Sequence, residues 1–301
     1  MNAVATERMK GIGGSDAAAA VGLSEWKSPY ELWLEKIGAA PPPDLSDNES
    51  VRFGALLEDV VAEEFARRRG VRVWRQRSTL YHRTHNFMFA HIDRRIVGAR
   101  EGLECKTASV RMAKRWGEEN TDEIPIEYWA QAAHYLAVTG YDGWHVAVLI
   151  GGNDFRMYYV PRDDEAIAAL IERELAFWEC VKTGVPPDPM TLEDVKVRWP
   201  SHIEAKRVNA TPEIVDALAR FKEINAQIKA LEKEQEPLEI AVKSFMADAA
   251  ELVDERGKVL CTWKQAKASR VFDKDRFAQE NPELYERYLV ERPGSRRFLV
   301  K

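Results

Sequence analysis

The sequence predicts an α/β protein, a sheet of short strands flanked by helices, continued by a helical extension. Three observations carry this. An amphipathic helical repeat over Val51–Arg69 gives way to short alternating apolar runs between Val71 and Lys106, and helical spacing returns at Ile126–Thr139 before two further strands. A proline-rich stretch, Gly184–Pro189, then separates this mixed region from a long charged helix. The expected division is residues 1–187 and 188–301.

In chain order, Gly13-Gly14 precede Ser15, which is placed to cap a short helix Asp16–Val21 stopped by Gly22. Ser28-Pro29 starts a second helix, with Leu32, Trp33 and Ile37 on its apolar side and Gly38 after it. Residues 39–50, with Pro41-Pro42-Pro43, form an exposed loop. Leu56, Leu57, Val60, Val61 and Phe65 then make one face of the Val51–Arg69 helix apolar.

The strands expected next are Val71–Trp74, Leu80–His82, Met88–Asp93 and Gly102–Lys106, an antiparallel meander with Gly98 and Gly102 bracketing its last turn. The helix Ile126–Thr139 is closed by Gly140. Strands Trp144–Ile150 and Phe155–Val160 flank a Gly151–Asp154 turn, and Asp163–Lys182 is helical. In the extension, Pro212 to about Glu251 reads as one long amphipathic helix or a hairpin broken near Pro237. A strand Val259–Lys264 and a helix Pro282–Leu289 follow.

Composition bounds the class. Hydrophobic residues are 45% and charged residues 31% of 301, ordinary globular usage, and there is no apolar run of membrane-spanning length. Met1–Lys10 lacks a secretory layout and Cys105, Cys180 and Cys261 are scattered, so a reducing cytoplasm, in a bacterium or a phage-infected host, is expected. The net charge of −5 does not exclude a polyanionic partner, since phosphate contacts need only a local basic surface. Seven arginines fall between Arg67 and Arg83 with no acid among them, and Lys106, Arg111, Lys114 and Arg115 form a second basic stretch.

The chemistry concentrates at Asp93, ending one strand, and Glu104-Cys105-Lys106 on the next. Strand alternation puts Glu104 and Lys106 on one face with Cys105 opposite, and pairing around the Gly98–Gly102 turn brings Asp93 beside Glu104. Two carboxylates and an ammonium suit phosphodiester hydrolysis: hard oxygens hold Mg²⁺ or Mn²⁺, and an amine stabilises the charge that develops on phosphorus. Many strands satisfy this spacing, so context decides. Glu58, one turn past Gly54, offers a third carboxylate, and Gln131 lies on a helix whose other residues pack.

The runs GIGGSDAAAAVGLSEWKSPYELWLEKIG, RFGALLEDVVAEEF, HIDRRI, LECKT and YWAQAAHYLAVTGYDGWHVAVLI resemble the YqaJ-type phage recombination nucleases, relatives of the bacteriophage lambda exonuclease in the PD-(D/E)xK superfamily. The resemblance spans Arg8 to Pro187. It implies a restriction-endonuclease-like core with a curved mixed, mostly antiparallel sheet, and a 5′-3′ exonuclease that uses two Mg²⁺ ions (or Mn²⁺) on double-stranded DNA ends. The products would be 3′ overhangs for a single-strand annealing protein, and the enzyme a ring-like homo-oligomer. By the same resemblance Asp93, Glu104 and Glu58 are metal ligands, Lys106 orients water, and Gln131 is the helix glutamine. Arg8, Ser15 and Arg111 would hold the 5′-phosphate.

The sequence departs from the family pattern at two places: Ile92 stands where proline is usual, and Ala133 where many relatives have a second glutamine. Gly11–Gly14 is not a phosphate loop, because no strand precedes it and no Gly-Lys-Ser follows. Three scattered cysteines exclude the iron-sulfur branch, which needs four. Two rival readings are an endonuclease on the same fold and a non-catalytic DNA-binding scaffold. In the extension, Lys264, Lys267, Arg270, Arg296 and Arg297 could follow a DNA backbone or simply be solvated.

Overall fold

The computed structural model describes residues 9–292 and 294–301 and divides the chain into two compact units, the first ending at Trp199 and the second running from Pro200 to Lys301. Arg8 lies outside the described residues. No described helix is long and apolar enough to cross a membrane.

The first unit opens with β1 (Ile12–Gly13) and α1 (Gly14–Ala20). The expected capping role of Ser15 is corrected here: the helix starts one residue earlier, Gly13 is its N-cap, and no side chain caps it. Ser15 sits exposed within the first turn. Helix α2 (Pro29–Lys36) begins as expected, with a reciprocal capping box in which Glu31 N donates to Ser28 Oγ (3.0 Å) and Ser28 N to Glu31 Oε2 (2.9 Å). Helix α3 (Glu49–Arg69) is capped by Asn48 and ends at Gly70, whose φ of 66° is the left-handed conformation a glycine adopts without strain. Its buried face is narrower than the repeat implies: Val61, Ala62 and Phe65 are buried, while Leu56 and Val60 face solvent.

The strands are β2 (Val73–Arg75), β3 (Leu80–Tyr81), β4 (Met88–Ala90), β5 (Arg94–Ile96), β6 (Glu101–Ala108), β7 (Gly143–Ile150) and β8 (Asp154–Pro161). They do not form one meander. Met88–Ala90 pairs with β3 and, in parallel, with β1, so the expected strand Met88–Asp93 stops at Ala90. The chain then crosses at residues 91–93 to a five-stranded sheet of order β2-β5-β6-β7-β8. All its pairs are antiparallel except β6 with β7. Such a parallel pair needs a long crossover. Here it contains a 3₁₀ turn (Val110–Arg115) and helix α4 (Ile126–Thr139). The expected α/β core, a mixed and mostly antiparallel sheet flanked by helices, is what the first unit contains.

The two faces of β6 are covered differently. Leu103 packs with Val61, Ala62 and Phe65 of α3, and Cys105 borders the same cluster. On the other side Tyr135 and Leu136 of α4 pack with Trp144, Val146 and Val148 of β7. Helix α5 (Asp164–Thr183) lies against α4, and Trp33 Nε1 of α2 donates to its Cys180 carbonyl (3.0 Å). A short helix α6 (Leu192–Arg198) is tied back by buried Asp194, which accepts from Ser28 Oγ (2.7 Å) and from the backbone N–H of Met190 and Thr191. That bond carries the first unit past the proline-rich stretch to Trp199.

In the second unit, α7 (Pro212–Met246) runs unbroken through Pro237, which resolves the two readings in favour of one helix. An unanticipated strand β9 (Glu251–Val253) pairs antiparallel with β10 (Val259–Thr262), and α8 (Lys274–Glu280) and α9 (Pro282–Tyr288) follow.

At the α4–α5 contact, His134 and Glu174 are wholly buried. His134 Nδ1 meets Glu174 Oε1 at 2.8 Å and Nε2 meets the Phe89 carbonyl at 2.9 Å. Two acceptors require two donors, so the ring is the imidazolium. Burial opposes that charge, but the Glu174 carboxylate, by attraction and hydrogen bond, outweighs it and raises the pKa above 6.5. A raised folded-state pKa stabilises fully below the unfolded value and ceases to do so as pH rises through the folded one. The denaturant midpoint is therefore expected to fall as pH is raised above 6.5. His134→Gln should flatten that limb, and Glu174→Ala, which strands a buried cation, should cost about 3–5 kcal/mol; urea titrations across pH check both.

Candidate active site

Residues 104–106 lie in the middle of β6, in register with Val146–Val148 of β7, so their directions are set by a continuous ladder. Glu104 and Lys106 share the α4 side. Lys106 Nζ donates to Glu104 Oε1 (2.6 Å) and to Gln131 Oε1 (2.9 Å), and Gln131 Nε2 donates to the same Glu104 oxygen (2.8 Å). The second Gln131 bond goes to Tyr135 OH (2.8 Å), which itself donates to the His91 carbonyl (3.1 Å). The ammonium also lies 4.7 Å from the centre of the Tyr128 ring. One carboxylate oxygen is thus fixed from two sides, while Glu104 Oε2 is buried with no hydrogen-bond partner among the described residues.

Asp93 immediately precedes β5, whose Arg94 is opposite Leu103. That register brings it beside Glu104, and its Oδ2 accepts from Cys105 N (2.8 Å). Burial and then the Glu104 charge push the Asp93 carboxyl up to about 8, against the opposing pull of the Cys105 N–H and Lys106. Burial alone would lower Lys106, but its attraction to Glu104, their hydrogen bond and the Asp93 charge leave it raised, hence an ammonium. The Cys105 thiol is pushed up by burial and the neighbouring acids, so it is a packing group, not a nucleophile.

Glu58 is placed differently. Its Oε1 accepts from Arg75 Nη2 (2.7 Å) and from Arg94 Nη1 (2.7 Å), and the neighbouring Asp59 is held by the same two guanidiniums. Arg94 is buried and its Nη1 also donates to the Asp93 carbonyl (2.7 Å). Glu58 therefore stands one arginine away from Asp93, close enough for its charge to act there. It does not join Asp93 and Glu104 in a common cluster, and among the described residues no three His, Cys, Asp or Glu side chains are arranged to hold a metal ion. The Asp93–Glu104 pair by itself fits a hard divalent cation. Both are oxygen donors, their mutual repulsion is only partly relieved by Lys106, and one oxygen is orphaned.

Of the anion-binding candidates, Ser15 is exposed on α1 and Arg111 exposed on the 3₁₀ turn. Gly14 lies against the Tyr135 ring, where a Cβ would come within 2.3 Å of Cε1. The glycine motif thus lets α1 approach the tyrosine that holds Gln131. Sequence reasoning missed Tyr135, although it stands four residues after Gln131 on the same helical face. It also missed Arg75 and Arg94, which are direct cross-strand neighbours and so require the acids between them.

Residues 5–142 match the YqaJ-like viral recombinase domain. A protein of Bacillus subtilis (strain 168), "Uncharacterized protein YqaJ", is 38% identical over 302 residues, covering 98% of this chain and 92% of that one. The chain belongs to the YqaJ-like family. Solved structures similar to this YqaJ-like protein include an alkaline exonuclease from Laribacter hongkongensis, with a TM-score of 0.47 and 16% identity, covering 64% of this chain and 95% of that one. A phage related exonuclease from Haemophilus somnus 129PT also has a TM-score of 0.47, with 13% identity over 58% of this chain and 95% of that one.

The raised Asp93 has a consequence for the YqaJ-like fold. Because its folded pKa of about 8 exceeds the unfolded value of 3.8, folding favours the protonated form. Stability without metal is then lost as pH rises between those values. The melting temperature in chelator is expected to decline through that window, Asp93→Asn to flatten the decline, and Mg²⁺ to restore stability chiefly at its alkaline end. Calorimetry with and without Mg²⁺ measures all three.

Proposed function

We propose that this chain is a metal-dependent deoxyribonuclease that degrades duplex DNA from its ends. The observation that carries the reading is the half-satisfied acid pair, Asp93 and Glu104, with an unpartnered Glu104 oxygen beside a charged Lys106. Asp93 and Glu104 would hold Mg²⁺ or Mn²⁺, two ions in the full site, and Glu58 would contribute only after leaving Arg75 or Arg94. Bound there, the ion supplies a Lewis acid for the phosphate and lowers the pKa of the attacking water.

The side chains divide the remaining work. Gln131 and Lys106 both hold Glu104 Oε1, which leaves Oε2 as the oxygen open to a cation. Lys106, kept protonated by Glu104, can donate to the phosphoryl oxygens as charge builds up on them. Tyr135 locks the Gln131 amide so that its carbonyl faces the ammonium. Cutting would run 5′ to 3′ and leave 3′ overhangs for a single-strand annealing protein, with Arg8, Ser15 and Arg111 receiving the 5′-phosphate and a ring-like homo-oligomer enclosing the duplex. The three free cysteines suit a reducing cytoplasm.

End-labelled linear duplex with Mg²⁺ is the deciding substrate. Progressive loss of 5′ label from linear DNA, with covalently closed circles left intact, is expected; efficient cutting of closed circles would overturn the end-dependent reading. Lys106→Ala should lower the rate by about 10²–10³-fold with DNA binding retained, and an unchanged rate would remove the site assignment. Arg8→Ala should slow degradation of 5′-phosphorylated ends more than 5′-hydroxyl ends. An equal loss on both would exclude a phosphate contact.

A further inference from the structure

Helix α7 carries two interleaved seven-residue repeats. Ile214, Phe221, Ile228, Gln235 and Val242 form one, and Ala217, Ile224, Leu231, Leu238 and Phe245, three residues further on, form the other. Steps of three and four held over five heptads are the a and d positions of a coiled-coil seam. A helix face shaped for a globular surface follows 3.6 residues per turn and drifts by about 20° per heptad from such a line. The strict repeat therefore matches another helix of the same period.

Within the second unit this seam is bordered but not covered. Hairpin β9–β10 touches one edge, with Cys261 Sγ 3.6 Å from Met246 Sδ and Lys243 over the Trp263 ring. The Phe298 ring meets Phe221 at 5.7 Å between centroids. The second repeat stays open, with Leu231 63%, Leu238 67% and Phe245 80% exposed.

We infer that a second copy of this chain docks its α7 on this seam in antiparallel orientation, a two-fold contact separate from the contacts that would close the proposed ring. The flanking charges decide the direction. Glu232, Glu234 and Glu239 occupy the e and g positions of the C-terminal half, whereas Arg220, Asn225 and Gln227 flank the N-terminal half. A parallel pair gathers the acids of both copies at one end with no base among them. An antiparallel pair sets each acidic half beside the neutral and basic half of the other copy. The register that overlaps the full seam puts Ile214 opposite Phe245, Ile228 opposite Leu231, and Gln235 opposite Ile224 of the second copy. Nine apolar seam residues, each burying on the order of 60–120 Å², cover roughly 500–1,000 Å² per copy, the scale of a stable interface at about 800 Å².

The test uses full-length protein. Ile214→Cys and Phe245→Cys variants are mixed under mild oxidation and the cross-links identified by peptide mass spectrometry. The mixed 214–245 disulfide should dominate. Sedimentation provides the second measurement: Leu231→Lys should lower the mass of the assembly, and Gln235→Leu, which replaces an amide facing Ile224 of the second copy, should tighten self-association by tenfold or more. A dominant 214–214 disulfide, or a Gln235→Leu chain that associates more weakly, would overturn the antiparallel pair. Sedimentation of Leu231→Lys indistinguishable from the parent would overturn the seam as an interface.

Discussion

Two carboxylates forced together in a half-buried site are the constraint around which the first unit is arranged. Asp93 and Glu104 repel each other, and the fold relieves only part of that repulsion. Lys106 and Gln131 neutralise and hold one Glu104 oxygen, the Cys105 N–H binds one Asp93 oxygen, and the other Glu104 oxygen has no partner. A structure selected for stability alone would replace such a pair by apolar groups, because a buried charge without full compensation costs several kcal/mol. Such an imbalance beside an ammonium is the pattern by which functional sites are sought, and the raised Asp93 pKa expresses it.

Holding that imbalance requires stiffness behind it. The long β6–β7 ladder fixes Glu104 and Lys106, and α4 fixes Gln131, but α4 is itself positioned by groups remote from the acids. His134 bonds both Glu174 on α5 and the Phe89 carbonyl on β4, so the helix is pinned to the strand that leads into Asp93. The next residue, Tyr135, reaches the His91 carbonyl in the connection that follows β4. The crossing at residues 91–93, which has no ladder of its own, is therefore held by Tyr135, and the strand before it by His134. Gly14 lets α1 close over that tyrosine without collision.

Much of this was legible in the sequence, and the failures are instructive. Alternation placed Glu104 and Lys106 together and Cys105 on the opposite face because a side-chain period of two is a property of the strand alone; that α3 covers the Cys105 face came from the fold. Pairing partners are not local. Met88–Ala90 was read as continuous with Asp93, but three residues of β4 belong to a different sheet, and nothing in the run MFAHID marks where the chain leaves it. Ser15 looked like a cap because Ser is favoured there, yet the glycines before it already supply the extended conformation an N-cap needs. The apolar face of α3 was overestimated for a related reason: periodicity identifies a stripe but not how much of it a neighbour covers. The long helix runs through Pro237, so the proline's cost stays local and does not split it into a hairpin.

The arginine-rich run shows how a charge pattern changes meaning once folded. Read along the chain, the seven arginines between Arg67 and Arg83 made one basic surface. In the fold Arg67 and Arg68 pair with Glu64, and Arg75 with Glu58 and Asp59. Arg69, Arg72, Arg77 and Arg83 form no ion pair among the described residues, so the cation density left for a polyanion is nearer half of what composition suggests. The pairing is also asymmetric in kind. Glu64 and its arginines are on an open helix surface, where ion pairs contribute little. The Glu58 carboxylate is gripped by a buried guanidinium that also pairs with Asp59, so the two acids compensate Arg94 together. Because the Glu58 charge also acts on Asp93, the arginine clamp and the acid pair form one electrostatic system, not two.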